Sequence, residues 1–164
     1  MIFKEFDKLV EHLNYRRAND EMPLAVIATC GGFDPVHVGH VRCFKESAEM
    51  KYQFENAVFV VIVNGDEFLQ NKKGFVFMPE EERMEIIRAM SGVDYVTRWY
   101  DGTQNCIEAL RKISPNIFTK GGDRDSRDRI PESDVCDEVG CKIVFGVGGT
   151  DKPQSSSWLT SKLK

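Results

Sequence analysis

Gly31-Gly32-Phe33-Asp34-Pro35-Val36-His37-Val38-Gly39-His40 lies between an apolar run, Leu24 to Ala28, and a helical pattern, Val41 to Lys51. Two histidines three apart, with a glycine between them, therefore stand where a strand hands over to a helix. Helix N-termini offer free N–H groups and the positive end of the helix dipole, so this junction is where an α/β protein binds phosphate. Gly31 and Gly32 would let the backbone approach such a group closely. Two imidazoles added to an anion site point to chemistry on a nucleotide phosphate.

Working outward, residues 3 to 17 carry apolar side chains at helical spacing (Phe3, Phe6, Leu9, Val10, Leu13). Asn19 to Pro23 ends that helix, and Leu24 to Thr29 reads as a buried strand. Ala57 to Val63 is the clearest strand, rich in β-branched residues and without alternation, as expected for burial on both faces. A mixed loop with Lys72, Lys73 and Gly74 follows. Pro79-Glu80-Glu81-Glu82-Arg83 suits a helix start, with proline first and acids near the positive dipole end. Strands are predicted at Val93 to Trp99, Ile117 to Thr119 and Lys142 to Phe145. Helices are predicted at Thr103 to Ile113, Pro131 to Val139 and Ser155 to Leu163. Strand and helix thus alternate five times after the first helix. The expected fold is α/β, Rossmann-like and doubly wound, with a mostly parallel five-stranded sheet and an extra N-terminal helix. Ligands bind such sheets beyond the carboxyl ends of the strands, at the topological switch point.

At 164 residues, one domain with a real core is expected. A net charge of −4 gives no support to a general nucleic-acid binder. Five scattered cysteines (Cys30, Cys43, Cys106, Cys136, Cys141) show neither a secreted disulfide framework nor zinc spacing. A reduced, cytoplasmic setting is the simplest expectation. Lys4, Glu5, Asp7 and Lys8 interrupt any signal-peptide pattern, and no apolar segment is long enough to span a bilayer. No membrane or nucleic-acid partner is expected.

The dinucleotide fingerprint G-x-G-x-x-G is absent, and no Walker lysine follows the turn. A zinc reading of His37 and His40 lacks a third ligand at recognisable spacing. What remains resembles the nucleotidyltransferase superfamily and its signature G-x-F-D-x-x-H-x-G-H, matched at every fixed position from Gly31 to His40. Gln154-Ser155-Ser156-Ser157-Trp158 is similar to the serine/threonine element that opens the last helix of the cytidylyltransferase-like branch. Lys120-Gly121-Gly122-Asp123 resembles the K-G-G-D of heptose 1-phosphate adenylyltransferase domains. The layout is also similar to glycerol-3-phosphate cytidylyltransferases, although Gly149-Thr150-Asp151-Lys152-Pro153 stands where those carry an arginine-containing lead-in.

The resemblance covers residues 24 to 163. It implies residues 1–22 as a helical extension and 23–164 as a nucleotidyltransferase domain. It implies transfer of CMP or AMP from CTP or ATP to a small phosphorylated acceptor, a sugar or polyol phosphate, with release of pyrophosphate. His37, His40 and Lys72 are the implied catalytic residues. Nucleotide contacts fall to Gly31, Gly32, Phe33, Gly39, Lys120, Gly121, Gly122, Asp123, Ser155, Ser156 and Ser157 besides the histidines. Lys73, Arg83 and Arg124 are implied substrate contacts, with Asp34 contacting substrate, orienting a partner, working near the metal or capping the turn. Mg²⁺ bridging the triphosphate oxygens is the implied cofactor. Negative charge builds on the oxygen bridging to the leaving pyrophosphate, and positioned imidazoles with a metal ion would stabilise it. A flavin adenylyltransferase and a non-catalytic nucleotide-binding module are the alternatives. The N-terminal helix is expected to pack on the domain or support a homodimer.

Overall fold

The apolar run from Ala57 to Val63 lies at the centre of the molecule, and its side chains turn alternately to two cores. Val58, Val60 and Ile62 enter one, and Phe59, Val61 and Val63 enter the other. A strand needs this composition when helices cover both faces of its sheet. The computed structural model describes residues 1–122, 126, 130–149 and 154–161. In chain order the elements are β1 (Ile2–Phe3), α1 (Phe6–Asn19), β2 (Ala25–Gly31), α2 (Val38–Glu49), a 3-10 turn (Met50–Gln53), β3 (Ala57–Asn64), α3 (Asp66–Lys73), α4 (Glu80–Arg88), β4 (Tyr95–Trp99), α5 (Ile107–Ile113), β5 (Ile117–Gly121), α6 (Ser133–Glu138), β6 (Lys142–Val147) and α7 (Ser156–Ser161).

The sheet order is β1-β4-β3-β2-β5-β6, with every neighbouring pair parallel. The chain starts its main sheet at β2, builds outward through β3 and β4, then returns to add β5 and β6 on the other side. The direction of winding reverses between β2 and β5, which is the switch point. Phe6, Leu9 and Leu13 of α1, Ala109, Leu110 and Ile113 of α5, and Val135 and Cys136 of α6 pack on one face. Phe44 and Ala48 of α2 and Met84 and Ile87 of α4 pack on the other. All five cysteines are free thiols. No helix among the described residues is long and apolar enough to cross a membrane.

Three local expectations change. The sheet has a sixth strand: Phe3 leaves the predicted helix and pairs through β1 with β4, Ile2 opposite Val96 and Phe3 opposite Thr97. Its ring packs against His12 and Tyr95 at 5.4 and 5.6 Å. A two-residue strand is too short to show a period of its own. His12 lies at this contact, half-buried, with Nε2 2.9 Å from the Tyr95 hydroxyl. Second, the segment carrying Lys72 and Lys73 is a helix, not a loop. Asp66 and Glu67 stand in its first turn, the lysines in its last, and Gly74 closes it at φ 80°. Third, α5 begins at Ile107 rather than Thr103, because Asp101 Oδ1 accepts from the Thr103 N–H and hydroxyl and holds a turn there.

Candidate active site

A cavity of about 700 Å³ opens at the carboxyl ends of β2, β3 and β5. Gly31 to Asp34, His37, Gly39, His40, Lys72, Lys73, Lys120 to Gly122 and Ser155 to Ser157 all line it. Segments far apart in sequence therefore meet at the switch point. Asp123 and Arg124 lie outside the described residues. Arg83 is described and does not line the cavity.

The turn is built around Phe33. This residue holds a left-handed backbone (φ 52°), uncommon for a non-glycine and tolerated where surrounding packing enforces it. Its ring is buried, edge-on to His40 at 5.0 Å and to Phe44 at 5.1 Å. A Cβ on Gly31 would lie 2.9 Å from that ring, so only glycine fits before it. The ring thus forms a floor beneath His40.

Helix α2 starts three residues before the apolar pattern does, which makes His37 its N-cap and puts His40 in its first turn. The Gly39 N–H donates to His37 Nδ1 (3.1 Å), and the His37 N–H donates to His40 Nδ1 (3.3 Å). The two rings stack with centroids 3.7 Å apart. Because each Nδ1 accepts, this hydrogen-bond network assigns the proton of each neutral ring to Nε2. Burial first, then the neighbouring His37, lowers the His40 pKa from 6.5 to about 3. At neutral pH His40 is therefore an uncharged Nε2–H donor rather than a cation.

That depression has a sign for stability. The unfolded chain protonates His40 near pH 6.5, whereas the fold resists until about pH 3. The folded state is therefore unpenalised above pH 6.5 and loses stability as pH falls through the window to 3, by at most about 1.4 kcal/mol per pH unit. Urea midpoints of the wild type and His40→Gln, compared at constant ionic strength, should converge or cross as pH drops from 7.5 to 5. A difference constant over that range would show that His40 does not carry this term.

Asp34 faces the turn from beneath. It is 2% exposed, and its carboxylate accepts from the Phe77 N–H (2.9 Å), the Met78 N–H (2.6 Å) and Lys73 Nζ (2.7 Å). It thereby ties the α3–α4 connection to the histidine turn, the capping side of its expected roles. Lys73 is committed to Asp34, while Lys72 is exposed at the cavity mouth with Nζ 5.5 Å from the Phe68 ring. Arg83, expected at a substrate, is instead completely buried. Its Nη1 donates to the carbonyls of Gly32 (2.6 Å) and Asn64 (2.8 Å), Nε to Met78 (2.9 Å), and Nη2 to Asp66 Oδ1 (2.6 Å). The guanidinium fork joins the ends of β2 and β3 to α3.

On the other side, β5 and β6 slip register between Thr119 and Gly121. A Cβ on Gly121 would meet the Val147 carbonyl at 3.0 Å and Cys43 Sγ at 3.1 Å, so a larger residue here would have to push β6 or α2 back by a few tenths of an ångström at this bulge. Ser155 Oγ accepts from the Trp158 N–H (3.2 Å), capping α7, and pairs with Ser157 Oγ (3.1 Å). Ser156 Oγ donates to the Pro35 carbonyl (2.8 Å), which fastens α7 to the histidine turn. Two contacts at or beside the cavity were not singled out in the sequence. Asn64 closes β3 and accepts from Cys30 Sγ at 3.3 Å; the break after the apolar run was its signal. Glu46 accepts from the Gly148 N–H at 2.6 Å, a contact between residues 102 apart that no local pattern announces.

The pattern of the cytidylyltransferase-like family matches residues 28–142, from β2 to the start of β6 and through the histidine turn. The chain belongs to this family. The bifunctional protein HldE of Desulfatibacillum aliphaticivorans is 36% identical over 122 residues, covering 73% of this chain and 23% of that protein. The chain thus spans about a quarter of the length of the bifunctional relatives it matches. D-beta-D-heptose 1-phosphate adenylyltransferase of Bordetella bronchiseptica is 29% identical over 130 residues, covering 77% of this chain and 75% of that one. The structure of a lipopolysaccharide core biosynthesis protein from Thermoplasma volcanium superposes with a TM-score of 0.59 at 22% identity, over 77% of this chain and 98% of that chain. That likeness supports the fold.

Proposed function

We propose that the protein is a nucleotidyltransferase that moves an adenylyl group from ATP to the phosphate of a sugar 1-phosphate of the heptose type. The observation that carries this reading is the stacked His37–His40 pair capping α2 inside a switch-point cavity. The likeness to a heptose 1-phosphate adenylyltransferase favours ATP and a sugar phosphate over CTP and a polyol phosphate. In the reaction an acceptor phosphate oxygen attacks the α-phosphorus in line. A new P–O bond forms, the bond to the oxygen bridging α- and β-phosphorus breaks, and pyrophosphate leaves with the electron pair. Nε2–H of His40, assisted by His37 and the positive end of the α2 dipole, would stabilise the oxygens that gain charge. Lys72 would add a mobile positive charge at the mouth, and the Ser155 and Ser157 hydroxyls would border the triphosphate.

The donor set argues for a magnesium ion carried by substrate. Both oxygens of Asp34 are occupied by protein donors, and no cluster of three or more metal-ligating side chains occurs among the described residues. Such an ion would supply charge neutralisation at the triphosphate.

A matrix of ATP and CTP against D-beta-D-heptose 1-phosphate, other sugar phosphates and glycerol 3-phosphate tests the reading through pyrophosphate release. ATP with the heptose phosphate should give the highest kcat/KM. Preference for CTP with a polyol phosphate would overturn the assignment. Tight nucleotide binding without turnover on any acceptor would favour a binding module.

A further inference from the structure

Lys120 leaves β5 beside the switch point, and its side chain lines the cavity. Its ammonium lies 4.6 Å from the centre of the Phe118 ring. Its ion-pair partner among the described residues is Glu132, with Nζ 3.4 Å from Oε2. Both side chains are enclosed, 12% and 6% exposed. Glu132 immediately precedes α6, beyond the connection that leaves β5.

The carboxylate is anchored from its far side. Oε1 accepts from the Cys106 N–H at 3.4 Å and from its thiol at 3.3 Å. Cys106 precedes α5, so Glu132 joins the starts of two helices to the end of one strand. Its second oxygen, Oε2, is buried and has no hydrogen-bond partner among the described residues. Burial pushes the Glu132 carboxyl up, but the Lys120 charge and the Cys106 contacts outweigh it and hold the group below the usual carboxylate range. A buried carboxylate oxygen normally finds a hydrogen-bond donor. Here it is turned toward one ammonium that itself faces the cavity.

We propose that Glu132 is a positioning residue that holds the Lys120 ammonium at the cavity wall as a preformed station for a substrate phosphate. The inference rests on the nucleotidyl-transfer reading and adds a residue to it. Lysine is a compact charge on a long flexible stem, and restraining it beforehand removes an ordering cost from binding. Phe118 and Glu132 supply that restraint from two sides. The station stands at β5, apart in the fold from the donors of α2, so the cavity has anion-binding groups on both sides of the switch point.

The test is a double-mutant cycle with Glu132→Gln, Lys120→Met and the pair, read by steady-state kinetics and by melting temperature. Glu132→Gln should raise KM for one substrate by about tenfold and change kcat by less than about threefold. Lys120→Met should raise the same KM, and the double variant should match Lys120→Met alone, because Glu132 acts through the lysine. Independent multiplication of the two effects, or an unchanged KM in Glu132→Gln, would overturn the proposal. Should Glu132→Gln not fold, Cys106→Ala loosens the same carboxylate from behind and carries the same expectation. A wild type inactive with every nucleotide and acceptor overturns the transfer reading instead. The cycle then runs on calorimetric binding of inorganic triphosphate, where the same non-additivity is expected and its absence refutes the positioning role.

Discussion

Turnover should fall by about 10²-fold or more when His40 is replaced by alanine, with a much smaller change in nucleotide affinity, because the lost group is a preorganised donor to charge that develops in the transition state. The structure divides the role of this side chain between two nitrogens. Nδ1 accepts the His37 N–H and shapes the turn; Nε2 carries the proton. His40→Asn retains an acceptor near the Nδ1 position and removes the distal donor. His40→Gln does the reverse. If catalysis depends on the donor, kcat drops in the Asn variant as in the Ala variant and recovers in part in the Gln variant. The opposite order would assign the residue to turn geometry. Normal turnover in all three would remove His40 from the mechanism.

Arg83→Met should destabilise the fold by about 3–5 kcal/mol, the range for breaking a buried charged network by removal of one partner. Methionine fills a similar length but leaves the Gly32, Asn64 and Met78 carbonyls without their shared donor. For a domain of this size that corresponds to a melting temperature lower by about 6–20 °C. Arg83→Lys should recover little of it, since one ammonium cannot reproduce a planar fork reaching four acceptors. Calorimetry of the three proteins checks this. A loss under about 1 kcal/mol in the Met variant would mean that water or neighbouring groups take over those carbonyls.

The central strand and the histidine turn were legible because each carries a signal within a few residues. The apolar block of β3 can only be buried on both sides, and glycines followed by spaced histidines mark a strand-to-helix junction. Arg83 misled because a charged residue in a motif-bearing helix looks the same whether it points to a ligand or inward. What decides is three carbonyls from residues 32, 64 and 78, which converge only after folding. Glu132 was silent for the same reason: its partners are Cys106 and Lys120, on other elements. α3 was missed because its apolar pair, Phe68 and Leu69, is too brief to establish a helical period.

The bond from Ser156 to the Pro35 carbonyl spans 121 residues of chain. A ribosome adding about 5–20 residues per second emits Ser156 roughly 6–24 s after Pro35. Throughout that interval the nascent polypeptide owns the histidine junction without the serine segment that borders it. Because a domain folds as a unit, the reaction chamber is finished only when α7 has emerged and docked.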